Sequence, residues 1–96
     1  MESDLGRGSF VNSKLWKAKL CHANLSTANF TNAQIWNADF SHAYLENAII
    51  ITPDININND TKFDHANLTN ATLSRKVFDI AKQCEGVVLK GVKIVD

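Results

Sequence analysis

Residues 18–48 read AKLCHANLSTANFTNAQIWNADFSHAYLENA and repeat every five residues. Each unit begins with an alanine and carries a large apolar residue two positions later. An α-helix advances about 100° per residue, so a period of five would spread the large residues around its whole circumference. A straight strand alternates faces at every residue, so an odd period would send successive large residues to opposite sides. The pattern therefore predicts one bend per unit, with the chain winding around its own core.

The five-residue spacing continues on both sides of this stretch. Every position in the series from Leu5 to Ile55 is apolar, although only 45% of the chain is hydrophobic. The series resumes after residue 60 and again near the C-terminus. The predicted buried core is Leu5, Phe10, Leu15, Leu20, Leu25, Phe30, Ile35, Phe40, Leu45, Ile50, Phe63, Leu68, Leu73, Leu89 and Ile94.

Four units carry the clearest family signature: ANLST, ANFTN, ADFSH and ANLTN, which begin at Ala23, Ala28, Ala38 and Ala66. They resemble the pentapeptide-repeat family, whose pattern is A(D/N)Lxx. The resemblance implies an all-β fold, a right-handed quadrilateral β-helix with four units and twenty residues in each coil. The chain would then be a single domain, residues 1–96, of about four to five coils.

Spacing by twenty provides a separate check on this fold, because residues twenty apart should stack on one face. Leucine then falls on leucine, and aromatic or branched residues fall on one another, as stacked coils require. The four predicted columns are Leu5, Leu25 and Leu45; Phe10, Phe30 and Ile50; Leu15, Ile35 and Ile55; and Leu20 with Phe40.

The repeat is interrupted twice. Residues 56–60, NINND, are typical of a turn and predict a loop, after which the pattern resumes three residues out of phase at Phe63. In residues 75–85 the apolar positions fall at helical spacing, which favours a short helix near residues 76–85 over a degraded coil. If Phe63 follows Ile55 as the next face, Leu68 joins the first column, Leu73 the second and Phe78 the third. Residues 86–96 then return to the repeat as a last half coil.

Composition excludes several classes of protein. Ten basic and ten acidic residues give zero net charge, so the chain has neither the strongly positive field of a nucleic-acid binder nor a strongly negative one. The two cysteines match no zinc spacing, and we expect no metal and no cofactor. Neither a signal peptide nor a membrane span is recognisable, so we expect a cytoplasmic protein that does not bind membranes, with export through an unusual signal left open.

Two sets of outward residues stand out. Trp16 and Trp36 are twenty residues apart, and with Lys14 and Lys17 they form a candidate interaction surface; the alternative is a ladder that only shields the backbone. The three histidines, His22, His42 and His65, should form one column at another corner. Stacked imidazoles could bind a metal or titrate together, but a solvent-exposed ladder is the preferred interpretation.

These observations favour a binding protein over an enzyme, since no nucleophile, base and orienting group occur in a recognisable arrangement. The leading hypothesis is a non-enzymatic protein-interaction or scaffold module whose protein partner the sequence does not identify. The first coil lacks an evident cap, which predicts pairing of that edge with a second copy, a further domain or a partner. The family resemblance implies one alternative, a DNA-mimicking modulator of DNA gyrase or topoisomerase, which zero net charge and short length disfavour. A second alternative is a bacterial effector acting on host proteins.

Overall fold

The computed structural model describes residues 8–96, whose backbone winds into a right-handed quadrilateral β-helix. Parallel bridges join each coil to the next, one on every face of the square, and in the first described coils they span twenty residues. The first four are Ser9 with Asn29, Lys14 with Gln34, Lys19 with Asp39 and Asn24 with Tyr44. Three longer strands lie on the second face as a parallel sheet in the order β1, Ile49–Ile50, β2, Thr72–Ser74, and β3, Lys93–Val95.

Each bend is made by the last residue of a unit, which adopts a left-handed backbone conformation. Among residues 8–96, ten non-glycine residues have φ between 58° and 63°, a region that asparagine tolerates better than most side chains. The unit's second residue supports the same bend: Asn29 Oδ1 accepts the backbone N–H of Thr31 at 3.0 Å, and Asp39 Oδ1 accepts that of Ser41 at 3.0 Å. This contact explains the preference for Asn or Asp between the small and the large residue.

The core fills the inside of the square. Phe10 stacks on Phe30 and Phe40 on Phe63, with ring centroids 4.9 and 5.2 Å apart. The large residues of the middle coils have no exposed surface, whereas Phe10, Leu15, Leu20 and Leu89 are partly buried and pack against them. Ile94 is also partly buried, and Leu5 lies outside the described residues. The fully buried members of the predicted core are Leu25, Phe30, Ile35, Phe40, Leu45, Ile50, Phe63, Leu68 and Leu73.

The structure corrects the third column. Ile55 is 85% exposed on a 3-10 helix, Asp54–Asn56, whereas Ile57 is 4% exposed. The N–H of Ile35 donates to the carbonyl oxygen of Asn56 at 2.7 Å, which places Ile57 above Ile35. The expectation that Ile55 continues this column is therefore wrong, because two additional residues precede Ile57.

The inserted residues are consequently divided between two places rather than gathered in one loop at 56–60. The bridge from Asp39 to Lys62 spans 23 residues instead of 20, so one further residue lies between Ile57 and Phe63. Asn56 and Ile57, both assigned to the loop, are buried. Hydrogen bonds satisfy the buried polar groups: Thr52 Oγ1 donates to the Ala33 carbonyl at 2.8 Å, and Asn56 Nδ2 donates to Thr52 Oγ1 at 3.0 Å.

The predicted helix is α1, Arg75–Ala81. It buries Val77, Ile80 and Ala81, while Phe78 is only partly buried, so Val77 rather than Phe78 contributes most to the core here. After α1 the coil resumes, with bridges from Asn67 to Val88 and Thr72 to Lys93, each spanning 21 residues. In the part of the chain that the structure describes, no helix has the length and apolar character needed to cross a membrane.

Candidate interaction surface

The two tryptophans lie together at the corner between the third and fourth faces. Their rings are nearly parallel, with an angle of 9° between planes and 6.1 Å between centroids. The stack follows from the coil itself, because the N–H of Lys17 donates to the carbonyl oxygen of Trp36 at 3.0 Å and fixes one corner above the other. Trp16 is 46% exposed and Trp36 is half-buried. The sequence-based pairing of these residues thus has a physical cause in the ladder beneath them.

Three exposed lysines lie within three residues of Trp16 in the sequence. Lys14 lies on the third face, Lys17 at the corner with φ of 63°, and Lys19 on the fourth face. We call these three lysines with Trp16 the basic corner. Lys19 was not among the residues selected from the sequence, although its spacing of twenty from Asp39 was a usable signal.

The tryptophan column ends after two members because the insertion begins in the next coil. In the coil above, the Asn58 side chain forms hydrogen bonds with Asn37 in the place where regular coils have a bond between backbone groups. Its Oδ1 accepts the N–H of Asn37 at 3.1 Å, and its Nδ2 donates to Asn37 Oδ1 at 2.6 Å. The exposed aromatic surface is therefore confined to the first two described coils.

An open groove runs along the fourth face beside the basic corner. Its volume is about 350 Å³, and a ladder of alternating charge, Lys19, Asp39 and Lys62, follows its length. Sequence reasoning missed this ladder because the step to Lys62 depends on the size of the insertion. The groove is lined by Lys17, Ala18, Lys19, Asn37, Asp39, Asp60 and Lys62.

Asp39 is the titratable group most affected by this environment. Partial burial acts to raise the pKa of its carboxyl, but the hydrogen bonds from Ser41 and Cys21 and the charge of Lys62 outweigh burial and hold the pKa below its ordinary value. For Cys21, burial and then the hydrogen bond to Asp39 raise the pKa of the thiol. This thiol therefore stays protonated and is a weak nucleophile at neutral pH.

The histidines form the opposite corner of the fourth face. His22 stacks on His42 and His42 on His65, with centroids 4.7 and 4.9 Å apart and planes within 14°. All three are exposed at left-handed corner positions. Among residues 8–96, no three His, Cys, Asp or Glu side chains are arranged to hold a metal ion. Cys21 and Cys84 are both free thiols.

The geometry defines a class of protein, a β-helical solenoid that presents columns of side chains on flat faces. Residues 9–47 match the family described as Pentapeptide repeats, in eight copies, so this part of the chain is a pentapeptide-repeat region. A search of curated proteins found no match.

The search of solved structures found similar chains, and QnrB1 shares the fold. QnrB1, a plasmid-mediated fluoroquinolone resistance protein, matches 93% of this chain and 39% of its own at 23% identity, with a TM-score of 0.59. A pentapeptide repeat protein of the Arabidopsis thaliana thylakoid lumen matches 94% of this chain and 60% of its own at 23% identity, with a TM-score of 0.44. The chain thus spans about two fifths of the length of QnrB1 and three fifths of the Arabidopsis protein.

Proposed function

We propose that this protein is a non-enzymatic protein-interaction module that binds its partner through the corner formed by Lys14, Trp16, Lys17 and Trp36. The observation that carries the proposal is the exposed tryptophan stack. Each ring is held by the other, so Trp16 presents a large apolar surface whose orientation is already fixed. A preorganised aromatic side chain loses little conformational entropy on binding, and tryptophan is among the commonest energetic anchors of protein interfaces.

The chemistry of the neighbouring groups supports binding rather than catalysis. Slight desolvation and then the hydrogen bond to Asp39 raise the pKa of the exposed Cys21 thiol, and the hydrogen bonds of Asp39 hold the pKa of its carboxyl below the ordinary value. A carboxylate with a lowered pKa is a poor general base near neutral pH. The groove beside these groups is open, so water has free access to it. These properties suit a surface that is recognised by another protein.

A pull-down with identification of bound proteins by mass spectrometry tests the proposal. The bait is the full chain, compared with Trp16→Ala/Trp36→Ala and with the control Tyr44→Ala, which removes a similarly exposed aromatic from the first face. A partner retained by wild type and control but lost by the double variant supports the proposal. A partner retained by all three contradicts it. Urea unfolding of each bait establishes that the variants are folded.

The alternative of a DNA-mimicking gyrase modulator has no specific observation in its favour. The likeness to QnrB1, at 23% identity, is one of fold. Residues 8–38 carry three lysines and no acidic residue, whereas mimicry of DNA requires a negative surface. A supercoiling assay in which the protein leaves gyrase unaffected would remove this alternative. The effector hypothesis stays a prediction.

A further inference from the structure

We infer that the segment bound at the basic corner is an acidic peptide, an extended stretch of the partner protein that carries Asp or Glu beside a large apolar residue. This inference rests on the proposed function and specifies its partner. It follows from the distribution of charge around Trp16, from the residues that line the adjoining groove and from the stacking of the two indole rings on each other.

Within residues 8–96, none of the three lysines of the basic corner forms an ion pair. Residues 8–38 contain Lys14, Lys17 and Lys19 and neither Asp nor Glu. Within residues 8–96 the ion pairs are Arg75 with Asp96 and Lys82 with Asp79, both far along the chain. Three unpaired ammonium groups on one corner attract a partner of opposite charge and accelerate its association.

Asp39 is the acidic residue closest to this corner in the ladder, and its carboxylate already accepts hydrogen bonds from other groups. Its Oδ1 accepts the N–H of Ser41 at 3.0 Å, and it also accepts the Cys21 thiol. The cation that lowers the pKa of its carboxyl is Lys62, in the coil above, rather than Lys19 below. The Lys19 ammonium is therefore available to a ligand.

The groove determines where an acidic side chain is accepted. Lys17 and Lys19 line its lower end, Asp39 lines its middle, and Asp60 and Lys62 lie at its upper end. A carboxylate is attracted by the two lysines at the lower end and repelled by Asp39 above them, so the groove selects one acidic position rather than a continuous run of negative charge. Next to it, the exposed surface of Trp16 offers a contact for an apolar side chain.

The same features disfavour a nucleic acid. Binding of a single strand uses several aromatic platforms along a continuous basic track. Here the two tryptophans stack on each other, which leaves each ring one face at most, and the alternating ladder places Asp39 between Lys19 and Lys62. A polyphosphate backbone following the groove would meet Asp39 and Asp60.

Fluorescence anisotropy with a defined probe tests the inference. The probe is a labelled Gly/Ser-rich peptide with a central Glu-Phe-Glu, and the comparison ligands are its Lys-Phe-Lys counterpart, an oligothymidine of similar length and phosphatidylserine vesicles. We expect the acidic peptide to bind best and its affinity to fall as salt is raised. Lys14→Glu/Lys17→Glu/Lys19→Glu should weaken binding by about tenfold or more, whereas the control Lys90→Glu/Lys93→Glu, on exposed lysines of the last coil, should not.

Several results would overturn the inference. These are no binding of the acidic peptide, tighter binding of oligothymidine or vesicles, or equal losses in the two charge-reversal variants. Self-association that the triple variant abolishes would assign the corner to a second copy instead. If the pull-down partner is lost by Trp16→Ala/Trp36→Ala but kept by the triple variant, the proposed function stands and the acidic partner is wrong. If the partner is lost by the double tryptophan variant and also by the triple lysine variant, the result supports the proposed function and the acidic partner.

Discussion

The backbone N–H of Phe63 donates to the thiol sulfur of Cys84 across 3.3 Å. On the coils below, the equivalent N–H groups of Leu20 and Phe40 donate to backbone carbonyl oxygens, each at 2.8 Å. Cys84 therefore supplies a side-chain acceptor at the point where α1 has displaced the regular coil. At this point of the helical interruption, the sulfur occupies the place of a ladder carbonyl.

Replacing Cys84 with alanine should lower the free energy of unfolding by about 1–3 kcal/mol, because the Phe63 N–H loses its acceptor in a partly buried place. The exposed Cys21 provides the control, and Cys21→Ala should change stability by about 0.5 kcal/mol or less. Urea unfolding followed by tryptophan fluorescence measures both. Similar losses in the two variants would show that the contact contributes nothing.

The corrected third column makes a second prediction. Ile57→Ala should cost about 2–4 kcal/mol, since the side chain is buried above Ile35, whereas Ile55→Ala should cost about 0.5 kcal/mol or less. The two changes are chemically identical and lie two residues apart, so each is the other's control. A larger loss at Ile55 would restore the register expected from a strict spacing of five.

This pair also shows where sequence reasoning succeeds and where it stops. Spacing by twenty predicts the regular coils because each inward place is marked by an apolar residue in an otherwise polar pattern. After Ile50 that mark becomes ambiguous, since Ile55 and Ile57 are both apolar. The choice between them depends on the buried Thr52 and Asn56, whose polar groups are satisfied by hydrogen bonds to the coil below and to each other.

The insertion also limits how much of the candidate interaction surface can be predicted from the sequence. Trp16 and Trp36 lie in two uninterrupted coils, so counting by twenty was sufficient to place them together. The Lys19, Asp39 and Lys62 ladder crosses the insertion, and its last step of 23 residues cannot be counted from the repeat. The relation of Lys19 to Trp16 further depends on the left-handed corner at Lys17, which directs the chain from the third face onto the fourth.

A third prediction concerns the end of the histidine column. Gly86 has φ of +68°, and a Cβ at this position would collide with Nδ1 of the His65 ring. Gly86→Ala should therefore cost about 1–2 kcal/mol for the left-handed backbone alone, and more because the imidazole must move. In a His65→Ala background the steric part disappears, so the same substitution should cost less. A double-mutant cycle by urea unfolding measures the difference, and strict additivity would contradict the packing of His65 over Gly86.

The last prediction is a pH dependence at Asp39. Partial burial opposes ionisation, but the hydrogen bonds from Ser41 and Cys21 and the charge of Lys62 leave the pKa of the folded-state carboxyl below its ordinary value. The unfolded chain therefore binds this proton more readily than the folded protein. The stabilisation is present above the unfolded pKa, near 4, and is lost as the pH falls through the lower folded value.

Asp39→Asn isolates this effect. Asn29 makes the equivalent contact with an amide oxygen, so the variant keeps an acceptor for the Ser41 N–H but cannot titrate. Urea unfolding measured from pH 6 downwards should show the difference in stability between wild type and variant shrinking below about pH 4. The other acidic groups are common to both proteins and cancel in that difference. A constant difference across the range would mean that the hydrogen bonds at this corner do not distinguish the carboxylate from an amide.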